Sequence, residues 1–215
     1  MNQNTKIAII GLGYVGLPLM VEFSKKFSVV GFDINASRVN NLKNLIDETM
    51  EVTAKDLVTI KDNIYSNSTF LENKDFFIVT VPTPINENKS PNIQALESAC
   101  SMIGNYLKPG NCVIFESTVY PGLTEEICIP ILEKTSNLKL NTDFSVGYSP
   151  ERINPGDKQR KLPQIIKIVS ASNPKALKQV DQLYSSIITA GTHKVLSIRA
   201  AEAAKVIENT QRDIN

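Results

Sequence analysis

The chain has 215 residues, 42% of them hydrophobic, enough to bury a substantial core and suited to one α/β domain plus an extra element rather than two complete domains. Its 23 basic and 22 acidic residues nearly cancel, and no run of either sign gives the electrostatic footprint of a nucleic-acid or anionic-membrane protein. Cys100, Cys112 and Cys128 have neither paired spacing nor metal-ligand grouping, so reduced thiols, no disulfide and no metal site are expected.

The first predicted strand, residues 6–10, runs into Gly11-Leu-Gly13-Tyr14-Val15-Gly16-Leu-Pro18 and then into a helical pattern over 14–27. Gly11 permits the tight turn off a buried strand, Gly13 removes a side chain that would block a pyrophosphate, and Gly16 lets the helix pack close to the sheet. The N-terminus of that helix offers unpaired N–H groups and a positive dipole end to phosphates. The apolar stretch 7–21 is too short, too rich in glycine and too poor in leading basic residues for a membrane anchor or signal peptide, and a soluble cytoplasmic protein is expected. A second strand, 29–33, ends on Asp33, twenty-two positions after Gly11, where a carboxylate can accept hydrogen bonds from both ribose hydroxyls of an adenosine. This arrangement predicts NAD, since the added phosphate of NADP would meet a like charge. Arg38 could pair with a phosphate, lie against the adenine face, or be a solvated residue of the next helix.

Helices are expected near 36–46, 53–60, 93–107, 122–134 and 174–188, with strands at 76–81, 112–117, 144–148, 165–170 and 194–198 and a further short strand at 64–67. The alternation predicts a doubly wound, mostly parallel α/β sheet. Asn92, Pro121-Gly122 and Asn173-Pro174 supply helix-start signals. A proline-punctuated polar loop, 82–91, leaves one strand end, and by topology Thr83 and the Ser117-Thr118 pair belong on the cofactor side of the crevice, although each also fits an ordinary loop or capping hydroxyl. Glu151 and Arg152 follow another strand end and project over the same crevice, or belong to a surface turn. His193, the sole histidine, has no neighbouring acid or nucleophile in a recognisable arrangement and receives no role.

Residues 198–215 read as one alanine-rich helix that stops without a closing cap, so the helix is expected to be cut short, as in a fragment or truncated product. Lys205, Asn209 and Arg212, at i, i+4 and i+7, share one face. Read alone, that face is the wet stripe of an amphipathic helix whose apolar side is Ala203, Ile207 and Ile214.

The ordered set of motifs resembles the UDP-glucose/GDP-mannose dehydrogenase family, and more closely its UDP-N-acetylhexosamine 6-dehydrogenase branch. It spans residues 6–215 through Ile10-Gly-Leu-Gly-Tyr-Val-Gly-Leu-Pro18, Asp33, Val81-Pro-Thr-Pro84, Glu116-Ser-Thr-Val-Tyr-Pro-Gly122, Ser149-Pro-Glu-Arg-Ile-Asn-Pro-Gly156 and Lys205-Val-Ile-Glu-Asn-Thr-Gln-Arg212. The resemblance implies a Rossmann-like NAD-binding domain over 1–196, the start of a central dimerisation helix over 197–215, and a UDP-binding domain outside this chain. It implies oxidation of the sugar C6 alcohol to an aldehyde and then a carboxylate, with two NAD reduced in turn, in surface-polysaccharide precursor synthesis by a homodimer.

By the same likeness Gly11, Gly13, Tyr14, Val15, Gly16, Asp33, Arg38, Thr83 and Thr118 address the dinucleotide. Glu151, Arg152, Ile153, Lys205, Asn209 and Arg212 address the sugar nucleotide, with Lys205 on the developing alkoxide, Asn209 beside a water, and Glu151 also catalytic. The family's Gly-x-Cys nucleophile lies downstream of the lysine helix, so this chain alone is expected to be inactive, and none of the three cysteines is promoted to that role. Pro155 stands where the UDP-glucose branch carries a glutamate, which points to an acetamido sugar. The competing readings are a ligand-sensing module of the same fold and another β-hydroxyacid-type dehydrogenase; the Ser149-Pro-Glu-Arg152 segment argues against both.

Overall fold

The computed structural model describes residues 4–152 and 161–214, the last with Arg212 and Asp213 as backbone only. Ile153, Asn154, Pro155 and Gly156 of the motif therefore lie outside the described residues, as does the side chain of Arg212.

Eight strands form one sheet in the order β3-β2-β1-β4-β5-β6-β7-β8. They are β1 (Lys6–Ile10), β2 (Ser28–Phe32), β3 (Ile64–Tyr65), β4 (Phe76–Val79), β5 (Cys112–Phe115), β6 (Ser145–Tyr148), β7 (Lys167–Ala171) and β8 (Thr192–Lys194). Strands β1, β4 and β5 are short apolar runs buried on both faces, the pattern of a sheet covered by helices on each side. Ile7, Ile9, Ile78 and Ile114 face α1 (Gly16–Ser24), α2 (Ala36–Lys43), α3 (Ala54–Ile60) and α6 (Pro174–Ser185). The alternate residues Ala8, Ile10, Phe77, Val79, Val113 and Phe115 face α4 (Gln94–Gly104), α5 (Ile129–Ser136) and α7 (Ile198–Ile214). No helix among the described residues is long and apolar enough to cross a membrane.

The sheet is parallel from β3 through β6, but β7 runs antiparallel to β6, with Gly147 opposite Ala171 and Tyr148 opposite Ser170. A parallel return needs a crossover of a dozen or more residues that repacks on the sheet, usually a helix. Between β6 and β7 the described residues hold only a short 3-10 turn, Leu162–Gln164. The strand expected at 194–198 lies earlier, at Thr192–Lys194, so His193 sits in β8 with an exposed side chain rather than in a loop before it. Residue 198 already begins α7.

Asn173 caps α6 with Pro174 in its first turn, while Asn92, two residues ahead of α4, accepts from the Gln94 N–H. Past Gly122, whose φ of +101° only glycine adopts freely, the chain winds as a π-turn over Thr124–Cys128 before α5 begins.

The amphipathic reading of α7 is reversed. Ile198, Ala201, Glu202 and Lys205 are buried, whereas Ile207 and Ile214 are 60% and 78% exposed. The helix packs on β6, β7 and the π-turn. Its inward face carries Glu202, which accepts from two backbone N–H groups, beside Ile198 and Ala201.

Candidate active site

The carboxyl ends of β1, β2, β4, β5 and β6 open onto one cavity of about 920 Å³. The chain reverses its direction of growth across β1, from β2 and β3 on one side to β4 and β5 on the other, and such a switch point leaves a crevice beyond the strand ends.

The floor of the first half is the glycine turn. Gly11 has a φ of +93°, and a Cβ on Gly16 would stand 1.9 Å from the Gly11 carbonyl oxygen and 2.4 Å from the Thr80 hydroxyl, so only glycine fits at either position. Thr80 braces the turn, its Oγ1 donating to the Gly11 carbonyl at 2.7 Å. A Cβ on Gly13 would meet nothing within 4 Å, because that position faces the open cavity. The turn is thus shaped to bring bare backbone to a ligand, which is the fit a dinucleotide pyrophosphate requires.

Asp33 is tied to the same turn: its Oδ2 accepts from the Leu12 N–H at 2.8 Å and its Oδ1 from Asn35 N–H at 2.9 Å. Asn35 in turn caps α2 through Ser37 and Arg38. Arg38 is neither a solvated helix residue nor free to swing. Its Nε donates to the Leu12 carbonyl at 3.0 Å and its Nη2 to Asp47 at 2.7 Å. On the far side, Thr83 Oγ1 donates to the Thr118 carbonyl at 2.6 Å and Ser117 Oγ to the Val81 carbonyl at 2.6 Å, stitching together the loops after β4 and β5.

At the inner end of the cavity lie Glu116 and Glu151, both lining it and both nearly inaccessible to solvent. They share Lys167, whose Nζ is 2.5 Å from Glu116 Oε2 and 3.3 Å from Glu151 Oε2. The Tyr184 hydroxyl donates to Glu116 Oε1, and Lys167 lies 5.6 Å from the centre of the Tyr184 ring. Burial pushes the Glu116 carboxyl up to about 7; Lys167 opposes the rise and Glu151 adds to it. Burial lowers the Lys167 pKa, but the two carboxylates outweigh it and hold it above the ordinary lysine value. Tyr14, at the rim, is raised by desolvation and then by the Glu151 charge.

Helix α7 approaches from behind this cluster. Glu202 accepts from the Gly122 N–H at 2.6 Å and the Thr124 N–H at 3.0 Å, seating a buried carboxylate on the start of the π-turn and α5. One turn later Lys205 Nζ donates to the Glu151 carbonyl oxygen. Arg152 pairs with Glu208 at 3.2 Å.

Of the residues expected at the site, Gly11, Gly13, Tyr14, Val15, Asp33, Arg38, Thr83, Thr118 and Glu151 line the one cavity. Gly16 lies beneath the turn. Lys205 is not among the lining residues; it touches the Glu151 backbone and is buried, not wet. Asn209 stands one turn further along α7. Glu116, Lys167, Thr80, Asp47 and Glu202 were not singled out from the sequence. The only cue was Glu116 at the head of the Glu116–Gly122 motif, one residue before the Ser117-Thr118 pair, and no role attaches to it from the sequence. Gly110-Asn111-Cys112 spells a Gly-x-Cys triplet, but Cys112 opens β5 at the opposite end of the sheet, and burial pushes its thiol up to about 12, so it is not a nucleophile for this cavity.

Residues 5–188 match the NAD-binding domain of the UDP-glucose/GDP-mannose dehydrogenase family. The chain belongs to this family. It is 56% identical over 214 residues to a UDP-N-acetyl-D-glucosamine 6-dehydrogenase of Pseudomonas aeruginosa, covering 99% of this chain and 51% of that protein. A UDP-N-acetyl-D-glucosamine 6-dehydrogenase of Salmonella typhi is 53% identical over 99% of this chain and 50% of its own length. Among solved structures, a UDP-D-ManNAc dehydrogenase from Pyrococcus horikoshii superposes with a TM-score of 0.88 at 29% identity, covering 98% of this chain and 51% of that one. The chain spans about half the length of the curated relatives it matches. The cavity is accordingly that of an NAD-binding domain.

Proposed function

We propose that the chain is the NAD-binding part of a nucleotide-sugar 6-dehydrogenase, which oxidises the C6 alcohol of a UDP-N-acetylhexosamine to the uronic acid with two NAD, for surface-polysaccharide precursors. The observation that carries this reading is the contact of buried Lys205 with the backbone carbonyl of Glu151, a residue that lines the same cavity as the Asp33 glycine turn. NAD, when bound, supplies the hydride acceptor. The glycine turn would receive its pyrophosphate, Asp33 its adenosine ribose, and Thr83 and Thr118 would border its inner half. A hydroxyl beside Lys205 would meet a fixed cation in a dry setting, where developing negative charge on oxygen is stabilised far more than in water. Glu151 would take the hydroxyl proton. Arg152, Ile153, Asn209 and Arg212 would address the sugar nucleotide, with Asn209 beside the reacting carbon.

The names of the two 6-dehydrogenases above support UDP-N-acetylglucosamine as the sugar to try first. We assign residues 1–196 to the NAD-binding domain and 197–215 to the start of a central helix that pairs two copies, a reading supported by the outward Val206, Ile207 and Ile214. We assign the reaction to the cytoplasm, a reading supported by its need for NAD and a nucleotide sugar. The test is the stoichiometry of NADH formed per UDP-N-acetylglucosamine consumed by the complete polypeptide that carries this sequence. Two equivalents are expected. Absence of sugar-dependent NAD reduction in a preparation that binds NAD, across the gluco, galacto and manno isomers, would overturn it.

A further inference from the structure

The adenosine end of the cavity is built from a relay of charges. Asp33 holds the Leu12 N–H, Arg38 Nε holds the carbonyl of that same residue, and Asp47 Oδ1 holds Arg38 Nη2 at 2.7 Å. Arg38 lines the cavity but is only 8% exposed, and its Nη1 is buried without a hydrogen-bond partner among the described residues. Asp47 comes from the loop between α2 and α3, which is wrapped around its carboxylate. Thr49 N–H and Oγ1 donate to Oδ1, and Glu51 and Val52 N–H donate to Oδ2. Leu45 and Met50, on either side, take positive φ of 65° and 55°, a backbone cost that the loop bears while presenting this one carboxylate to the arginine.

An arginine beside the ribose carboxylate is ordinarily the group that would accept a 2′-phosphate. Here Nε and Nη2 are both engaged inside the protein, on the Leu12 carbonyl and on Asp47, and only Nη1 is left without a partner among the described residues. Two carboxylates, Asp33 and Asp47, against one guanidinium leave a surplus negative charge at the adenosine end, and the planar fork is fixed along the Leu12 carbonyl with its charge turned to Asp47. We propose that Asp47 sets the cofactor preference of this domain, by clamping Arg38 to the glycine turn so that the guanidinium cannot turn to a 2′-phosphate. The clamp makes the site selective for NAD over NADP in addition to the repulsion from Asp33. The inference concerns cofactor binding alone and does not depend on the sugar oxidation.

The experiment is calorimetric titration of NAD and NADP into the 215-residue chain and its variants, read as the ratio of the NADP Kd to the NAD Kd. Asp47→Asn removes the clamping charge while keeping the shape, and the ratio is expected to fall about tenfold as Arg38 becomes free to meet the phosphate. Adding Arg38→Met to that variant should restore the wild-type ratio, because the gain acts through the guanidinium. Arg38→Lys keeps both charges but cannot span the Leu12 carbonyl and Asp47 together, and should shift the ratio the same way by about threefold. If the Asp47→Asn loop fails to fold by circular dichroism, the lysine variant carries the test. A ratio unchanged in both single variants, or a loss of affinity equal for both cofactors, would show that Asp47 merely ties down the loop and would overturn the proposal.

Discussion

Glu116 carries the cost of the inner site. Its carboxyl is held near 7 against an ordinary value of 4.5, because the dry interior disfavours its charge and Glu151 competes for the same lysine. A raised folded-state pKa means that this residue's contribution to stability is fully present below pH 4.5, where folded and unfolded chains both hold the proton. It is lost as pH rises through about 7, since the unfolded chain ionises first. Integrated over that window the loss is roughly 3 kcal/mol. Glu116→Gln, whose amide oxygen can accept from Lys167 while its NH2 donates to the Tyr184 hydroxyl in a reversed bond, cannot ionise and should flatten this part of the stability profile, measured by urea denaturation between pH 4 and 8 (a window set by the shift). An equally steep fall in the variant would move the effect to another group. Lys167→Met is a separate case. It leaves two buried carboxylates facing each other without their cation and should cost about 3–5 kcal/mol.

The residues that were legible are those whose chemistry depends on neighbours in sequence. Gly11, Gly13, Gly16 and Asp33 announce themselves through a fixed spacing around two apolar runs. Lys167 does not, because its partners are fifty-one and sixteen residues away. In isolation it is one polar residue inside the apolar run expected as a strand over 165–170.

At the scale of elements, one reversal explains that blindness. In a wholly parallel sheet the first residue of every strand lies at the amino ends, away from the ligand crevice, and Lys167 would have been placed there. Because β7 runs antiparallel to β6, its first residue is carried to the carboxyl end of β6, level with Glu151. The apolar runs fixed where strands fall, but the direction of β7 depends on a connection that carries no periodic signal. Helix α7 was misread for a related reason. Its apolar residues set the expected inner face, yet Glu202 finds two backbone donors at the turn before α5 and turns the helix by that pairing. Hydrophobic periodicity counts burial and cannot see a buried carboxylate with partners waiting for it. Glu202→Ala should therefore strand the Gly122 and Thr124 donors and lower stability by about 3 kcal/mol. Amide hydrogen exchange at those two positions should accelerate, and exchange along α7 with it. Unchanged protection in α7 would mean that its apolar contacts alone seat the helix.

The whole molecule joins these ends: a glycine turn at the switch point, a charge relay on its Asp33 side, and a buried ion cluster on the other, all at the carboxyl edge of one sheet. Folding and ligand binding can be separated at this edge because the three glycines of the turn face different surroundings. Gly16 faces protein, and a Cβ there would overlap the Gly11 carbonyl, so Gly16→Ala should destabilise the fold itself whether or not cofactor is present. Gly13 faces the cavity, where a Cβ meets nothing, and its φ is not in the left-handed region, so Gly13→Val should fold normally yet fill the space a pyrophosphate would take. Ligand that binds only the folded state adds about 2.7 kcal/mol of stability at a hundred times its Kd. For a chain of this length that corresponds to a melting shift of about 5–10 °C. Thermal unfolding with and without NAD should show that shift in the wild type, no shift in Gly13→Val at the same concentration, and an unliganded Tm close to wild type for Gly13→Val but clearly lower for Gly16→Ala. A wild-type Tm untouched by NAD, or a Gly13→Val chain that still responds to it, would detach the glycine turn from cofactor binding.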